Sequence, residues 1–241
     1  MLISVVIPAY NEDRCIRTAI QSVYDFFSSK NSFSLELIVV DDCSADQTAL
    51  IVEGLKENYP SLVYMRNERN MGKGFSVKRG IMESRGDYVL FMDADLSTPL
   101  GQFDILWKSV ADHDVVIGSR ALADSVIVCH QPWFKECVAR LGNRVIRLFL
   151  RLPFHDTQCG FKLFSRRVVS QVFVLQTIER WGFDMEILFI VSRQGFRIAE
   201  VPVRWSNDPT SLVKKVDYFI VLFDVFKILT NSACGRYNKT V

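Results

Sequence analysis

The chain has 241 residues, 49% of them hydrophobic and 23% charged, which suits one large α/β domain with a substantial core. Its formal net charge of +2 excludes a uniformly basic, nucleic-acid-coating surface, and we predict no nucleic-acid partner. The six cysteines are scattered without a Cys-x-x-Cys pair, which excludes zinc-ligand spacing and indicates reduced thiols in a cytosolic protein.

The first predicted element is a strand. Ile3–Ile7 is a β-branched run that ends at Pro8, and a helix follows in which Ile16 and Phe27 belong to one helically spaced apolar set. The apolar run after Met1 is too short for a secretory signal, and no stretch reaches about 20 uncharged apolar residues. We therefore predict neither a leader nor a membrane span.

The same alternation continues along the chain. We predict strands at 35–40, 62–65, 88–92 and 114–117, separated by helices that end near 58 and 84 and one that starts at 99. Strands separated by helices of about 10–15 residues form mostly parallel sheets. The sequence therefore predicts an α/β fold with a mostly parallel sheet flanked by helices.

Two aspartates follow the predicted strand at 88–92. Asp93 and Asp95 are two positions apart, so in extended chain both point to the same side beyond the carboxyl end of the strand. Two hard oxygen ligands suit Mg²⁺ or Mn²⁺ held jointly with substrate phosphates. Alternatively, the segment 97–99 starts a helix and the aspartates only cap a loop.

Polar residues at the other strand ends favour the metal interpretation. Ligands of parallel sheets bind beyond the carboxyl ends of the strands. The groups expected there, besides the aspartates, are Tyr10-Asn11-Glu12, Asp41-Asp42 and Gly118-Ser119-Arg120, with Lys73, Lys78 and Arg79 nearby. Cations that bind phosphate and carboxylates that hold metal or hydroxyl groups fit a nucleotide diphosphate with a divalent ion. The P-loop and dinucleotide glycine motifs are absent, which disfavours a kinase or a dehydrogenase.

The order and spacing of these motifs resemble the family-two glycosyltransferases of the GT-A fold, in particular the dolichyl-phosphate β-glucosyltransferases and related polyprenyl-phosphate enzymes. The segments that carry the resemblance are 5–12, 70–74, 93–95, 118–120, 156–164 and 180–186. It implies an inverting hexosyltransferase that moves glucose from UDP-glucose to a polyprenyl (dolichyl) phosphate. The alternatives are a GDP-mannose donor, a protein or polysaccharide acceptor, or an inactive nucleotide-sugar-binding scaffold.

The resemblance also implies roles for individual positions. The implied nucleotide-sugar pocket comprises Pro8, Ala9, Tyr10, Glu12, Val40, Asp41, Asp42, Lys73, Asp93, Ala94, Asp95 and Arg120. Asp42 is expected to pair with the base, and Asp41 is the alternative. Metal ligands are implied at Asp93, at Asp95 and at Ser97, where mannosyl relatives often have glutamine. Catalytic roles are implied for Asp93, Asp95 and Arg120, with Arg120 near the diphosphate or the acceptor phosphate.

Acceptor-binding residues are implied in the second half of the chain. Gln158, in the Asp-Thr-Gln-Cys-Gly segment, is expected near the sugar and the acceptor phosphate, and Asp156 either joins it or caps a turn. Asp184 and Glu186 stand where inverting relatives have acidic residues. Two helical positions i and i+2 face apart, so we expect only one of them to reach the site. The segment 209–213 resembles Pro-Gly-Ser-Lys-Val, but its lysine is replaced by Leu212, so Lys214 or Lys215 substitutes or the phosphate contact is lost.

A basic amphipathic helix is predicted at 134–152. Arg140, Arg144, Arg147 and Arg151 form one narrow stripe, with apolar residues on roughly the opposite side. The helix either lies in a membrane interface, with arginines such as Arg140 on head groups or the acceptor phosphate, or packs its apolar stripe on the sheet.

The apolar segment at 218–229 is predicted to be interfacial or to pack on a partner. We thus predict a catalytic domain at 1–211 and an interfacial helix and tail at 212–241. The protein is expected to be peripheral on the cytosolic face of a membrane.

Overall fold

The computed structural model describes residues 1–129, 133–207 and 215–238, and it describes only the backbone at 133–135, 137–140, 215–219, 221 and 222. The segment 209–213, which contains Leu212, and the following Lys214 lie outside the described residues. The side chains of Arg140 and Lys215 lie outside them as well. The roles predicted for these residues therefore stay predictions.

The first half of the chain follows the predicted alternation of strands and helices. Its elements are, in chain order, β1 (Leu2–Ala9), α1 (Ile16–Ser28), β2 (Ser34–Asp41), α2 (Thr48–Leu55), β3 (Leu62–Arg66), α3 (Lys73–Glu83) and β4 (Tyr88–Met92). The apolar set predicted for α1, which is Ile16, Ile20, Val23 and Phe27, is buried, because a period of 3.6 residues places it on one face.

The second half contains elements that the sequence analysis did not predict. Its elements are, in chain order, a 3₁₀ turn (Leu100–Gln102), α4 (Phe103–Trp107), β5 (Val115–Ser119), β6 (Val126–Cys129), α5 (Trp133–Leu150), β7 (Phe161–Ser165), α6 (Arg166–Val172), a 3₁₀ turn (Phe173–Leu175), α7 (Phe183–Arg193), β8 (Ile198–Pro202), β9 (Arg204–Ser206) and α8 (Lys215–Ala233). The predicted helix at 134–152 corresponds to α5. The strands β6 to β9 have three to five residues each, which is too short for a clear periodic pattern.

Seven strands form one sheet in the order β3-β2-β1-β4-β7-β5-β8. β7 runs antiparallel to its neighbours β4 and β5, and the other neighbouring pairs are parallel. The predicted mostly parallel sheet is therefore confirmed, while β6 and β9 pair separately. Because β7 is reversed, its first residue Phe161 lies opposite Met92, the last residue of β4.

The carboxyl ends of β1, β2, β4 and β5 lie at one edge of the sheet, which we call the rim. It carries the segments 10–12, 41–44, 93–97 and 118–120. The reversed direction of β7 brings the residues just before it, up to Gly160, to the same edge. The rim is the edge at which parallel sheets bind their ligands.

Helices cover both faces of the sheet. One apolar cluster joins the sheet to α3, α5, α6, α7 and α8, and the other joins it to α1, α2 and α4. In α8, Val225 and Ile228 belong to the first cluster, whereas Phe223 and Phe226 are 69% and 66% exposed. The segment predicted to be interfacial thus packs on the domain through one side, and the division of the chain at residue 212 stays a prediction. Across the described ranges, no helix has both the length and the apolar character that crossing a membrane requires.

Candidate active site

The loop after β1 is tied to the loop after β2. Asn11 has a φ of 57°, its backbone N–H donates to Ser44 Oγ at 2.9 Å, and its Oδ1 accepts from the N–H of Ala45 at 2.8 Å. An asparagine side chain tolerates this left-handed conformation because it can bond locally in this way. Tyr10 is exposed and Glu12 half-buried on the rim, where a nucleotide was predicted to bind.

Several residues predicted for the nucleotide-sugar pocket are buried at or next to the strand ends that form the rim. Pro8, Ala9 and Ala94 are buried. The side chain of Val40 is fully buried and packs against α3, where a Cβ on Gly80 would lie 2.9 Å from Val40 Cγ2. The side chain of Val40 therefore belongs to the core, and the place of Val40 in a nucleotide pocket stays a prediction.

Asp42 holds the loop that leads into α3. Its carboxylate accepts hydrogen bonds from the N–H groups of Met71 and Gly72 at 2.8 and 2.7 Å and from Asn67 Nδ2 at 2.7 Å. These bonds fix the start of α3 and therefore Lys73, its first residue. The pairing of Asp42 with a base stays a prediction.

Asp41 is fully buried and is held by side chains. It accepts hydrogen bonds from Tyr64 Oη at 2.7 Å and from Arg66 Nη1 at 3.0 Å. Burial and the hydrogen bond to Asp41 raise the pKa of Tyr64 to about 12, so this phenol stays protonated and keeps donating. Asp41 thus stabilises the β2–β3 edge, and its role as the alternative base contact stays a prediction.

Asp93 pairs with Lys73, with 2.7 Å between Oδ1 and Nζ. This Oδ1 is buried and has no aligned hydrogen bond within the described residues. Gly160 packs directly on the same carboxylate, since a Cβ at that position would lie 1.9 Å from Asp93 Oδ2. The two residues are also joined by a hydrogen bond from Asp93 N–H to the Gly160 carbonyl at 3.1 Å. Only glycine allows this approach.

Asp95 and Ser97 form a tight turn. Asp95 Oδ1 accepts from the Ser97 N–H and its Oδ2 accepts from Ser97 Oγ, both at 2.8 Å, around Leu96 with a φ of 54°. Burial, followed by the negative charge of Asp93, raises the pKa of Asp95 above its ordinary value. The structure therefore places Ser97 as a residue that orients Asp95, and its role as a metal ligand stays a prediction.

The acidic pair fits a divalent cation that shares its ligands with a substrate. Oδ1 of Asp93 is buried and has no aligned hydrogen-bond donor among the described residues. The negative charge of Asp93 also acts on Asp95, and a bound cation would reduce the repulsion between the two carboxylates. Within the described residues, no group of three or more His, Cys, Asp and Glu side chains could hold a metal ion. Mg²⁺ and Mn²⁺ suit such a site because they are commonly bound by one or two carboxylates and by phosphate oxygens.

Arg120, just after β5, is fixed by Asp156. Nε and Nη2 bond the two carboxylate oxygens at 2.7 and 2.9 Å, and the Arg120 N–H donates to the same carboxylate at 3.0 Å. The indole of Trp205 lies 5.4 Å from the guanidinium. Burial alone would raise the pKa of Asp156, but Arg120 lowers it to about 2. Asp156 also accepts from the Gln158 N–H at 3.1 Å, so both predicted roles of Asp156, site residue and turn cap, meet in one carboxylate.

Behind Asp156, Glu200 of β8 holds the chain in place. Its carboxylate accepts from the N–H groups of His155 and Asp156 at 2.9 and 2.8 Å and lies 3.0 Å from His155 Nδ1. Glu200 therefore holds the backbone at 155–156, this backbone positions Asp156, and Asp156 in turn positions Arg120.

A further ion pair lies under the rim. Lys162 of β7 is buried, and its Nζ donates to Asp184 Oδ1 and to the Cys159 carbonyl, both at 2.5 Å. Asp184, in the first turn of α7, is buried as well, and burial raises its pKa while Lys162 and then Lys73 oppose that rise. Asp184 is thus part of the charged cluster around Lys73.

The amino-acid sequence matches the model of the family described as Glycosyl transferase family 2 over residues 4–173. The chain belongs to this family. It is 37% identical to the dolichyl-phosphate beta-glucosyltransferase of Dictyostelium discoideum, covering 85% of this chain and 66% of that protein. It is 30% identical to a dolichyl-phosphate beta-glucosyltransferase of Trichomonas vaginalis, covering 94% and 72%.

A solved structure with the same fold is the Mycobacterium tuberculosis glucosyl-3-phosphoglycerate synthase in complex with Mn²⁺, UDP-glucose and glycerol 3-phosphate. It has a TM-score of 0.65 and 22% identity, over 97% of this chain and 80% of that chain. The predicted GT-A fold of family-two glycosyltransferases is therefore confirmed.

One acidic residue assigned to the acceptor lies elsewhere in this glycosyltransferase. Glu186 is fully buried, and it accepts from the N–H groups of Thr177 and Ile178 at 2.9 and 2.8 Å and from Tyr237 Oη at 2.6 Å. The carboxylate of Glu186 thus joins α7 to the chain after α8, and its predicted acceptor contact stays a prediction. The expectation that only one of Asp184 and Glu186 reaches the site also stays a prediction.

Two further cations near the rim in sequence are engaged elsewhere. Lys78 Nζ donates to the Gln176 carbonyl at 2.8 Å, and Arg79 Nη1 donates to Asn67 Oδ1 at 2.6 Å. Lys73 and Arg120 are the cations that the structure brings to the acidic pair.

Sequence reasoning missed Gly160, Lys162 and Glu200 as residues of the site. A signal existed for Lys162, which is the one charged residue in the run Phe161–Phe164. A lysine in a buried apolar strand requires a charged partner. No comparable local signal points to Glu200, whose partners lie 44 and 45 positions away.

Proposed function

We propose that this family-two glycosyltransferase moves glucose from UDP-glucose to a polyprenyl phosphate such as dolichyl phosphate, with inversion at the anomeric carbon. The observation that carries the proposal is the meeting of Asp93 and Asp95 with Lys73 and Arg120 at one rim. This charge pattern suits a nucleotide diphosphate with a divalent cation. The names of the two relatives support the sugar and the acceptor, and the UDP-glucose complex of the structural neighbour supports the donor.

Asp93 and Asp95 would hold Mg²⁺ or Mn²⁺, which when bound would neutralise the charge that develops on the diphosphate leaving group. Lys73 supplies a cation whose position is set by Asp93 and by the Asp42-bound loop. Ser97 keeps both oxygens of Asp95 in one orientation. These contacts preorganise the donor side, so little rearrangement is needed as the leaving group departs.

The acceptor requires orientation more than activation. A phosphate monoester has a second pKa of about 6, so its oxygens are largely ionised at pH 7 and need no strong general base. Arg120 is held in one orientation by two hydrogen bonds to Asp156 and is the cation suited to bind that phosphate or the donor diphosphate. Gln158, two residues after Asp156 and bonded to it through its N–H, is half-buried.

We also propose that α5 rests on a membrane surface. In its described part, Ile146 and Leu150 are buried in the core, whereas Leu141, Leu148 and Phe149 are 65%, 75% and 58% exposed. The predicted alternative, in which the apolar stripe packs on the sheet, does not apply to those three residues. The adjoining exposed side of α5 carries Arg144 of the arginine stripe, and Arg151 of the same stripe is exposed directly after the helix ends at Leu150. Apolar and basic faces side by side suit an anionic lipid interface.

The cytosolic face is the proposed location. Among the described residues, Cys43, Cys129, Cys159 and Cys234 are free thiols. Unpaired thiols are typical of reducing compartments, whereas disulfides persist in oxidising ones.

Transfer is measured first. Purified protein with Mg²⁺ or Mn²⁺ is incubated with radiolabelled UDP-glucose or GDP-mannose and with dolichyl or undecaprenyl phosphate, and label in the organic phase is counted. We expect label from UDP-glucose alone. Label from GDP-mannose alone would overturn the donor, and no lipid label despite nucleotide binding would favour another acceptor or an inactive scaffold.

The acidic pair is tested with Asp95→Asn. We expect kcat to fall by more than about 100-fold, because the variant loses a negative oxygen that stabilises the leaving group through the cation. Asp104→Asn is the matched control, since Asp104 lies in α4 and pairs only with Lys30 among the described residues. Near wild-type turnover of Asp95→Asn would overturn this assignment.

Membrane binding is tested with Leu148→Ser combined with Phe149→Ser. We expect sedimentation with vesicles of phosphatidylcholine and phosphatidylserine to weaken by about tenfold or more, since two large apolar groups are lost from the interface. Leu50→Ser is the control, because Leu50 of α2 is 65% exposed on another surface. Equal vesicle binding by the double variant and the wild type would refute the proposal.

A further inference from the structure

The buried ion pair between Lys162 and Asp184 has no explanation in stability alone. Charges are expensive to bury, and an apolar pair of similar volume is often as stable as a buried ion pair or more so. Both side chains are nearly inaccessible, at 1% and 6% exposure. The bond is charge-assisted and short, with 2.5 Å between Nζ and Oδ1. The pair therefore holds both side chains in one arrangement, at a site where little solvent can compete.

The Lys162–Asp184 pair and the proposed donor site share one aromatic neighbour, Phe91. Phe91 and Lys162 are direct neighbours across β4 and β7. Lys162 Nζ lies 5.8 Å from the centre of the Phe91 ring, and Lys73 Nζ lies 5.6 Å from the same ring. Trp181 lies 5.4 Å from Lys73 and limits the space into which its ammonium group can move.

Lys73 is attracted by two carboxylates at once. Asp93 and then Asp184 are the carboxylates that attract its ammonium group most strongly, and Lys73 and Lys162, the partner of Asp184, lie against the same Phe91 ring. In the structure, Lys73 pairs with Asp93 at 2.7 Å while Asp184 is bonded to Lys162. Without Lys162, Asp184 would be a buried carboxylate, and Lys73 is the cation that acts on it most strongly after Lys162.

We propose that Lys162 is a positioning residue for the donor site: by occupying Asp184, it keeps the ammonium group of Lys73 beside Asp93, where the donor diphosphate binds. This inference rests on the proposed function for the identity of the donor. The effect of Lys162 on nucleotide binding through Lys73 can be measured without glucosyl transfer.

The experiment is a double-mutant cycle with Lys162→Met, Lys73→Met and the variant that carries both. The readout is the affinity for UDP in the presence of Mn²⁺, measured by titration calorimetry, together with KM for UDP-glucose and KM for the lipid acceptor. We expect each single change to weaken UDP binding by about tenfold, and the double variant to match Lys73→Met alone. KM for the acceptor should stay within about twofold of the wild-type value.

Two outcomes would overturn the proposal. Losses that multiply to about 100-fold in the double variant would show that Lys162 acts independently of Lys73. Unchanged UDP affinity in Lys162→Met, with the protein folded by circular dichroism, would show that Lys162 does not position the site. Lys30→Met is the control, because it removes a lysine from an exposed ion pair in which neither partner lies at the rim.

A second variant is tested in case Lys162→Met does not fold, since Lys162→Met leaves Asp184 buried without its partner. Lys162→Met with Asp184→Asn removes both charges, so nothing draws Lys73 away from Asp93. We expect its UDP affinity to lie within about threefold of the wild-type value, and a tenfold loss would overturn the proposal. Because UDP binding is read without transfer, a wild type that binds UDP and transfers no glucose would contradict the proposed function and leave this test intact.

Discussion

The two sides of the rim hold their charged groups by different means. On the side of β2 and α3, the carboxylate of Asp42 is fixed by the N–H groups of Met71 and Gly72. On the side of β5, β7 and α7, Arg120 is fixed by Asp156 and Lys162 by Asp184. Asp42 therefore relies mainly on the backbone, whereas Arg120 and Lys162 rely on paired side chains.

This difference decides how each side responds to substitution. A backbone N–H remains whatever side chain stands at that position, so only the accepting carboxylate is at risk. An ion pair fails when either partner changes, and removal of one leaves the other charged and buried. We therefore expect larger losses on the side of β5 and β7 than on the side of β2.

The largest effect is expected where the two sides touch, at Gly160→Ala. The new Cβ would lie 1.9 Å from Asp93 Oδ2, so the carboxylate or the chain before β7 must move. We expect kcat of glucosyl transfer to fall by more than about 100-fold, since displacement of a catalytic group by about 1 Å has effects of that size. Gly101→Ala is the control, because nothing lies within 4 Å of its added Cβ. A twofold change in Gly160→Ala would show that the close approach is not required.

Asp156→Asn breaks the ion pair that fixes Arg120. Breaking a buried pair should lower the free energy of unfolding by roughly 3 kcal/mol at pH 7, and kcat/KM should fall with it because Arg120 loses its orientation. Urea unfolding and steady-state kinetics measure the two effects. Stability equal to that of the wild type would mean that Asp156 is not an effective partner.

The same pair predicts a pH dependence. The folded-state pKa of Asp156 is about 2, below its ordinary value of 3.8, with Arg120, Cys159 and Glu200 as its charged or titratable neighbours. A lowered carboxyl pKa contributes stability that is present above about pH 4 and is lost as the pH falls towards 2. The difference in unfolding free energy between wild type and Asp156→Asn should therefore shrink between pH 4 and pH 2. A constant difference over that range would contradict the assignment.

Asp42→Asn should have a smaller effect, because it acts on the side held by the backbone. An amide has one accepting oxygen, so one of the N–H groups of Met71 and Gly72 loses its partner. We expect a loss of about 1–2 kcal/mol in unfolding free energy and a UDP affinity lower by severalfold, as the start of α3 loosens. Calorimetric titration of UDP is the measurement, and a loss as large as that of Asp156→Asn would reverse the comparison.

Ser97→Ala should have the smallest effect. It removes the hydroxyl bond to Asp95 Oδ2 and leaves the N–H bond to Oδ1 in place. We expect kcat to fall by about threefold to tenfold, as for the loss of one hydrogen bond. A fall as large as that of Asp95→Asn would instead support the predicted role of Ser97 as a metal ligand.

The sequence predicted the side of β1 to β4 better than the side of β5 to β8, for a physical reason. The first strands are apolar runs between helices with clear periodicity, and the polar residues after them meet because parallel strands share an edge. β7 could not be placed in this way, because its position between β4 and β5 depends on residues far along the chain. Lys162 was missed for the same reason, since its partner Asp184 lies in another element.

The reversed strand also sets the order in which the sheet can assemble. β4 ends at Met92, its neighbour β7 begins only at Phe161, and β5 is joined to β4 through β7, with β8 on the outer side of β5. Closing so long a loop is slow, because its entropy is lost before the strand contacts form. We expect β1 to β4 to form an early folding unit, with β7 then admitting β5 and β8. The contact between Asp93 and Gly160 would therefore form only late in folding, when β7 pairs with β4.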